Sequence, residues 1–259
     1  MKKVLVFDSG VGGFSIVREL VDQNLNIEIS YLADTSFFPY GNKNDLELLD
    51  RIPQVVLAGV EKTGADAVII ACNTASTIAL WRIREVVGVP VIGVVPAIKP
   101  AARLTKTKAI GLLATPRTIG SAYVDDLIDQ FAGGCAVYRY GPPNLALAAE
   151  QVLRGEDFEE SHIKDAIDGL YKNPMAKDID IIILACTHYP LIRDELAKYA
   201  PKDIKFIDSG EAIARRLKEV LAINDAGLPL LKTAYSTGGN DEKFLQAAQN
   251  EGFINQTQI

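Results

Sequence analysis

The chain has 259 residues, 48% of them apolar and 23% charged, and 27 basic against 33 acidic side chains leave a net charge of −6. That is a globular composition with length enough for one sizeable core or two modest lobes, and the lack of a basic surplus argues against a dedicated nucleic-acid binder. The longest apolar runs, Ala67 to Cys72 and Ile181 to Cys186, cover six residues each, far short of the roughly 20 needed to cross a bilayer.

Met1-Lys2-Lys3 resembles a signal-peptide start, but the apolar stretch behind it runs only from Val4 to Phe7 before Asp8, so a cytoplasmic address is expected. Apolar, β-branched segments then alternate with amphipathic ones, the pattern of β-α units around a mostly parallel sheet. The fold class predicted is α/β. Strands are predicted at Val4 to Phe7, Ile29 to Ala33, Ala67 to Ala71, Val91 to Val95, Ala109 to Ala114 and Ile179 to Ala185. Helices are predicted at Ser15 to Val21, at Ala75 to Val87 before Gly88 and Pro90, and at Tyr123 to Phe131 before Gly133-Gly134, from their apolar faces and stop signals.

Two segments echo one another. Gly64-Ala-Asp-Ala-Val-Ile-Ile-Ala-Cys72-Asn-Thr and Asp178-Ile-Asp-Ile-Ile-Ile-Leu-Ala-Cys186-Thr-His both set Ala-Cys and a polar residue at the end of an apolar strand, 114 positions apart. Two similar α/β lobes are the simplest account. Val91-Ile-Gly-Val-Val-Pro96 suggests a crossing near residue 97, and Phe206-Ile207-Asp208 suggests the return. The expected lobes are therefore residues 1–97 plus 208–259, and residues 98–207, with the active site in the cleft between them. No long Pro/Gly/Ser linker separates them, so they are expected in firm contact.

Three cysteines, Cys72, Cys135 and Cys186, are an odd number at wide spacing, which favours reduced thiols over a disulfide framework. His162 and His188 complete no short zinc pattern with them, so no metal site is expected. Cys72-Asn73-Thr74 and Cys186-Thr187-His188 stand where open α/β sheets place their ligands. One such cysteine would ordinarily be a buried hydrophobe; two at equivalent places of a repeat point to chemistry. Cys135, after Gly133-Gly134, keeps the structural reading. Ile78 and Ile192 fall where a phosphatase loop would need arginine, and no histidine serves Cys72 as a cysteine protease would require.

Asp8-Ser-Gly-Val-Gly-Gly-Phe-Ser15 is a glycine-rich loop between a strand and a helix, where backbone amides could hold an anion. It lacks the third glycine of a dinucleotide fingerprint and the lysine of a P-loop. Asp8 at the strand end would repel a phosphate and better suits an ammonium group or a proton-transfer partner; a tight turn with a helix cap is the plainer alternative. In Asp34-Thr-Ser-Phe-Phe-Pro-Tyr-Gly41 the turn at Tyr40 and Gly41 could offer amides to a carboxylate, or be a surface turn over packed Phe37 and Phe38. Thr115 to Thr118 and Ser121 could bind an anion or cap a helix. Glu150, after the apolar run Leu145 to Ala149, could point into a cleft or lie on a solvated helix face.

As a set, Asp8-Ser9-Gly-Val-Gly-Gly, Pro39-Tyr40-Gly41, Cys72-Asn73-Thr74-Ala75, Cys186-Thr187-His188-Tyr-Pro-Leu and Asp208-Ser209-Gly210 resemble the glutamate racemases of the cofactor-independent Asp/Glu racemase group. The resemblance runs over nearly the whole chain in family order. Val91 to Arg103 looks like the proteobacterial branch, and Val95 stands where many other members carry Glu.

The resemblance implies interconversion of L- and D-glutamate without a cofactor, by one thiol on each face of the α-carbon, supplying D-glutamate for peptidoglycan. It implies two lobes related by pseudo-two-fold symmetry. It gives Cys72 to D-glutamate and Cys186 to L-glutamate, with Asp8, His188 and Glu150 as helpers. Substrate would be held by Asp8, Ser9, Tyr40, Gly41, Asn73, Thr74, Thr187 and His188. A homodimer is implied, and activation by a UDP-linked cell-wall precursor is plausible for this branch. The alternatives are a racemase for aspartate or another amino acid, and a binding or regulatory protein that kept the scaffold without catalysis.

Overall fold

The computed structural model describes residues 1–223, 231–239 and 241–258; residues 224–230, 240 and 259 of the expected first lobe lie outside the described residues. The chain opens with β1 (Lys2–Asp8), α1 (Phe14–Asp22), β2 (Ile27–Ala33), α2 (Asp45–Thr63), β3 (Ala67–Ile70), α3 (Asn73–Val86) and β4 (Val91–Gly93). It continues through α4 (Ile98–Leu104), β5 (Ala109–Ala114), α5 (Pro116–Ile119), α6 (Ala122–Phe131), β6 (Ala136–Tyr140) and α7 (Leu145–Leu153). Then come α8 (Ser161–Leu170), β7 (Ile181–Ala185), α9 (Arg193–Ala197), β8 (Lys205–Ile207), α10 (Gly210–Leu221), β9 (Lys232–Ser236), α11 (Glu242–Asn250) and β10 (Asn255–Gln258).

These strands form two sheets, ordered β10-β9-β2-β1-β3-β4 and β6-β5-β7-β8, with every pairing parallel. The order β2-β1-β3-β4 of the first sheet is repeated by β6-β5-β7-β8 of the second. This makes β3 and β7 counterparts, and it puts Cys72 and Cys186 at matching carboxyl ends, as their sequence echo predicts.

Strand residues alternate between the two faces of each sheet, and both faces are covered, which is why the strands read as unbroken apolar runs. Val4 and Val6 pack with Phe14, Leu20, Leu217 and Phe244 of α1, α10 and α11. Leu5 and Phe7 face the other way, onto Leu48, Ile52 and Val56 of α2 and Ala79 and Ile83 of α3. In the second sheet Ile110 and Leu112 meet Ile98 and Val124 of α4 and α6, and Leu113 and Leu184 meet Leu145, Ile163 and Leu170 of α7 and α8.

Some boundaries differ from the sequence expectations. α3 begins at Asn73 rather than Ala75 because Cys72 itself is its N-cap, with the Ser76 N–H donating to the Cys72 carbonyl. β7 begins at Ile181 rather than Ile179, because Ile179 closes a 3-10 turn over Pro174–Asp178 by donating to the Ala176 carbonyl. β4 ends at Gly93, before the chain turns through Pro96 toward α4.

Candidate active site

Cys72 and Cys186 line one pocket at the carboxyl ends of the two sheets, together with Ser9, Asn73, Thr74, Thr187 and His188. Tyr40 and Gly41 form its outer wall with Phe38 and Pro39. Both thiols are reduced and buried, and the two lobes serve them differently. Cys72 sits at the amino end of the fourteen-residue α3, where unpaired N–H groups and the helix dipole favour an anion. Burial nonetheless pushes its thiol well up, and the charge of Asp8 adds to this, against the opposing hydrogen bonds from the Ala75 N–H and Ser9.

Cys186 has no such helix and is followed instead by a 3-10 segment over Tyr189–Ile192. Its partner is His188, whose Nδ1 lies 3.8 Å from the Sγ. The other ring nitrogen, Nε2, is 2.6 Å from Glu150 Oε2. The carboxyl group thus orients the ring, with Nε2 toward Glu150 and Nδ1 toward the sulfur. Burial opposes charge on His188, but the contacts with Cys186 and Glu150 outweigh it and raise its affinity for a proton well above the usual histidine value.

The glycine-rich loop does hold carboxyl groups, and they are the protein's own. Its Val11 N–H donates to Glu150 Oε2 at 2.9 Å, across the lobes, and its Gly10 N–H donates to Asp8 Oδ1 at 3.0 Å. A methyl group at Gly10 would overlap the Glu150 carboxyl, and one at Gly12 would overlap the His188 ring. The glycines are therefore required by the approach of the second lobe rather than by a phosphate. Tyr31 supports the loop from below, its hydroxyl donating to the Gly10 carbonyl at 2.6 Å.

Asp8 and Glu150 lie behind the pocket, 0% and 3% exposed, which sets aside the solvated-helix reading of Glu150. Thr187 donates its hydroxyl proton to Asp8 Oδ2 at 2.9 Å, a second bond across the cleft. Burial raises the Asp8 pKa, opposed by His188, the Gly10 N–H and Thr187, and assisted by the Glu150 charge. Asp8 and His188 thus hold protons more tightly than ordinary groups of their kinds, one beside each thiol.

In the loop after β2 the packing is the reverse of the surface-turn expectation. Tyr40 is the buried ring, while Phe37 and Phe38 are partly exposed. The Tyr40 hydroxyl donates to Asp34 at 2.6 Å, so the tyrosine shapes the wall and does not reach into the pocket with its oxygen. Thr115 and Ser121 do cap α5 and α6, and Thr115 has a further place that capping alone does not reveal. It lines the pocket and lies 3.2 Å from Thr74 across the cleft. Ala146, which sequence reasoning missed, lines it too. Cys135 stands apart, half-buried against the α4 and α6 side of the second sheet. Among the described residues, no group of His, Cys, Asp and Glu is arranged to hold a metal ion, and no helix is long and apolar enough to cross a membrane.

Comparison with known proteins places this geometry in a family. The model of the Asp/Glu/Hydantoin racemase family matches residues 29–217. The glutamate racemase of Sphingopyxis alaskensis is 44% identical over 83% of this chain and 80% of its own. That of Shewanella sp. strain MR-4 is 38% identical over 97% and 91%. The crystal structure of Escherichia coli glutamate racemase, in complex with L-glutamate and the activator UDP-MurNAc-Ala, superposes with a TM-score of 0.89 at 37% identity, covering 100% of this chain and 98% of that one. With the family model matched over most of its length and such relatives along nearly all of it, the chain belongs to the Asp/Glu/hydantoin racemase family and is an amino-acid racemase, an isomerase.

Proposed function

We propose that the protein interconverts L- and D-glutamate by a two-base mechanism, with Cys186 acting on the L enantiomer and Cys72 on the D enantiomer. The observation that carries the reading is the pair of buried thiols at matching strand ends of two repeated sheets, lining one pocket. Glutamate is the substrate of the relatives that cover most of the chain. One thiolate takes the α-proton, leaving the electron pair on the α-carbon, and the opposite thiol returns a proton to the other face. The turnover leaves thiol and thiolate exchanged. Asp8 beside Cys72 and His188 beside Cys186 restore them, since a free thiol is only a few per cent ionised at neutral pH.

In a cofactor-independent reaction the carbanion's charge passes only into the substrate's own carboxylate, so it must be met by donors fixed before the reaction in a dry site. The start of α3 and the hydroxyls of Ser9, Thr74 and Thr187 are suited to this, with the backbone of Tyr40 and Gly41 for a carboxylate. The buried Asn73 Oδ1 has no hydrogen-bond partner and suits the substrate ammonium.

The product would supply D-glutamate for peptidoglycan in the cytoplasm, and the protein would act as a homodimer, a state that light scattering tests. A second ligand, a UDP-linked cell-wall precursor acting as activator, is part of the same reading. It is supported by a cleft of about 670 Å³ at the two chain crossings, lined by Lys99, Arg103, Arg193, Lys205 and Arg215 beside Glu19, Asp208 and Glu211. A diphosphate suits those cations.

The test is α-proton exchange in deuterated water, with and without the precursor. Cys72→Ser and Cys186→Ser should both lose racemisation; the first should exchange only L-glutamate and the second only D-glutamate. Wild-type turnover in either variant would overturn the two-base assignment. A panel of amino-acid enantiomers followed by circular dichroism separates glutamate from aspartate, and binding of glutamate without exchange would favour a non-catalytic role.

A further inference from the structure

We propose that Arg154 is a positioning residue for the Cys186 half of the reaction, acting through Glu150 and His188; the proposal rests on the two-base reading above. Glu150 is almost fully buried, and its Oε2 is committed to His188 and the Val11 N–H. Its Oε1 is buried without a hydrogen bond. The charge facing it is the guanidinium of Arg154, one helical turn on, with Nη1 3.5 Å away.

That guanidinium is itself held from several sides. Its Nη2 donates to Asp241 Oδ1 at 2.6 Å, and its Nε to Glu156 Oε1 at 3.2 Å. Asp241 also caps α11, accepting from the Phe244 N–H, and Lys243 of the same helix pairs with Glu156 at 3.5 Å. Arg154 thus ties α7, behind the second lobe's thiol, to the returning segment that completes the first sheet. A planar fork gripped by two carboxylates has little freedom. Glu150 is placed against it, and the His188 ring against Glu150. Without Arg154, Glu150 would keep its contacts on one oxygen while the other lost its facing charge, and the carboxylate could swing. His188 Nδ1 would then lose its fixed aim at Cys186 Sγ.

The two enantiomers have equal free energies, so kcat/KM must be the same in both directions for any variant, and rate alone cannot say which thiol is affected. Substrate isotope effects can. In full-length Arg154→Met, kcat/KM should fall roughly ten- to a hundredfold, as expected for a displaced catalytic group. The isotope effect on kcat/KM should rise for α-deuterated L-glutamate and fall for α-deuterated D-glutamate, because the Cys186 step becomes the slower one. Asp241→Asn should shift both in the same sense by less, and Arg154→Lys should restore part of the rate.

Unchanged isotope effects in Arg154→Met, even in a slower or less stable enzyme, would make the arginine merely structural and overturn the proposal, as would shifts in the opposite sense. Should Arg154→Met fail to fold, the Asp241→Asn and Arg154→Lys pair carries the same comparison. Cys186→Ser in the same series separates the two claims. If it racemises, the two-base reading fails; if it is inactive while the arginine variants keep wild-type isotope effects, the positioning role alone fails.

Discussion

Gly12 has a backbone that any residue could adopt in sequence terms, yet the His188 ring stands where its methyl would go. Gly12→Ala should therefore push His188 away from Cys186, lowering kcat/KM by roughly a hundredfold and stability by about 1 to 3 kcal/mol from overpacking. Gly88→Ala is the control, since its methyl would meet nothing within 4 Å; steady-state kinetics and thermal melts of the pair decide. Wild-type activity in Gly12→Ala would mean that the ring has room to move without loss. The loop's importance is visible in the sequence as glycine density after a strand, but its purpose is not. The groups it accommodates, Glu150 and Thr187, bond to it from 139 and 179 positions away, and only the closure of the two lobes brings them there. The thiols and His188 were legible because the strand repeat marks their place. Arg154 was not, since its decisive partner, Asp241, lies 87 positions on in a different segment.

At the scale of elements, the alternation of apolar and amphipathic segments is enough to find β1, β3, β5 and β7, which are buried on both faces, and α1, α3 and α6 from their apolar stripes, but not α2, α7 or α8. The echo of β3 and β7 extends to their strand order but not past the cysteines, where the second lobe has a 3-10 segment in place of a helix like α3. The wall after β2 was less legible, for its organiser is a buried charge. Asp34 accepts from Tyr40 at 2.6 Å, from Arg51 at 2.7 and 2.6 Å, and from Thr237 of the returning segment at 2.6 Å. Burial works against its ionisation, but these donors prevail and hold its pKa below the usual carboxylate value. Asp34→Ala would leave Arg51 and Tyr40 without their acceptor, at a cost of about 2 to 3 kcal/mol, below the roughly 3 to 5 kcal/mol of a broken fully buried pair because Arg51 is a third exposed. KM should rise as the Tyr40 and Gly41 wall loosens. A folded-state pKa below the unfolded one gives stability that is present above the unfolded value near 4 and is lost as pH falls through the folded value. The gap in melting temperature between wild type and Asp34→Ala should accordingly close in acid; a gap constant from pH 7 to pH 3 would assign the loss to packing instead.

Over the whole molecule, the seam between the lobes carries a directed dependence of stability on pH. Asp8 and His188, buried on either side of it, both bind protons more tightly in the folded chain than model groups do. For such groups the folded state carries more bound protons than the unfolded one, so stability falls as pH rises. The Asp8 contribution is complete below its unfolded value of 3.8 and is lost as pH rises through its higher folded value. That of His188 is complete below 6.5 and disappears as pH climbs toward its raised folded value. Cys72, pushed up by burial and Asp8, adds to the fall from about pH 8, where unfolded thiols begin to ionise. Asp34 and Asp180, whose pKa values are lowered, act in the opposite sense and only in acid. Melting temperature should therefore decline from pH 6.5 to pH 8, and His188→Asn should flatten that decline. Parallel curves for wild type and His188→Asn across this interval would show that His188 holds no extra proton affinity in the seam, and would remove it as the group that returns a proton to Cys186.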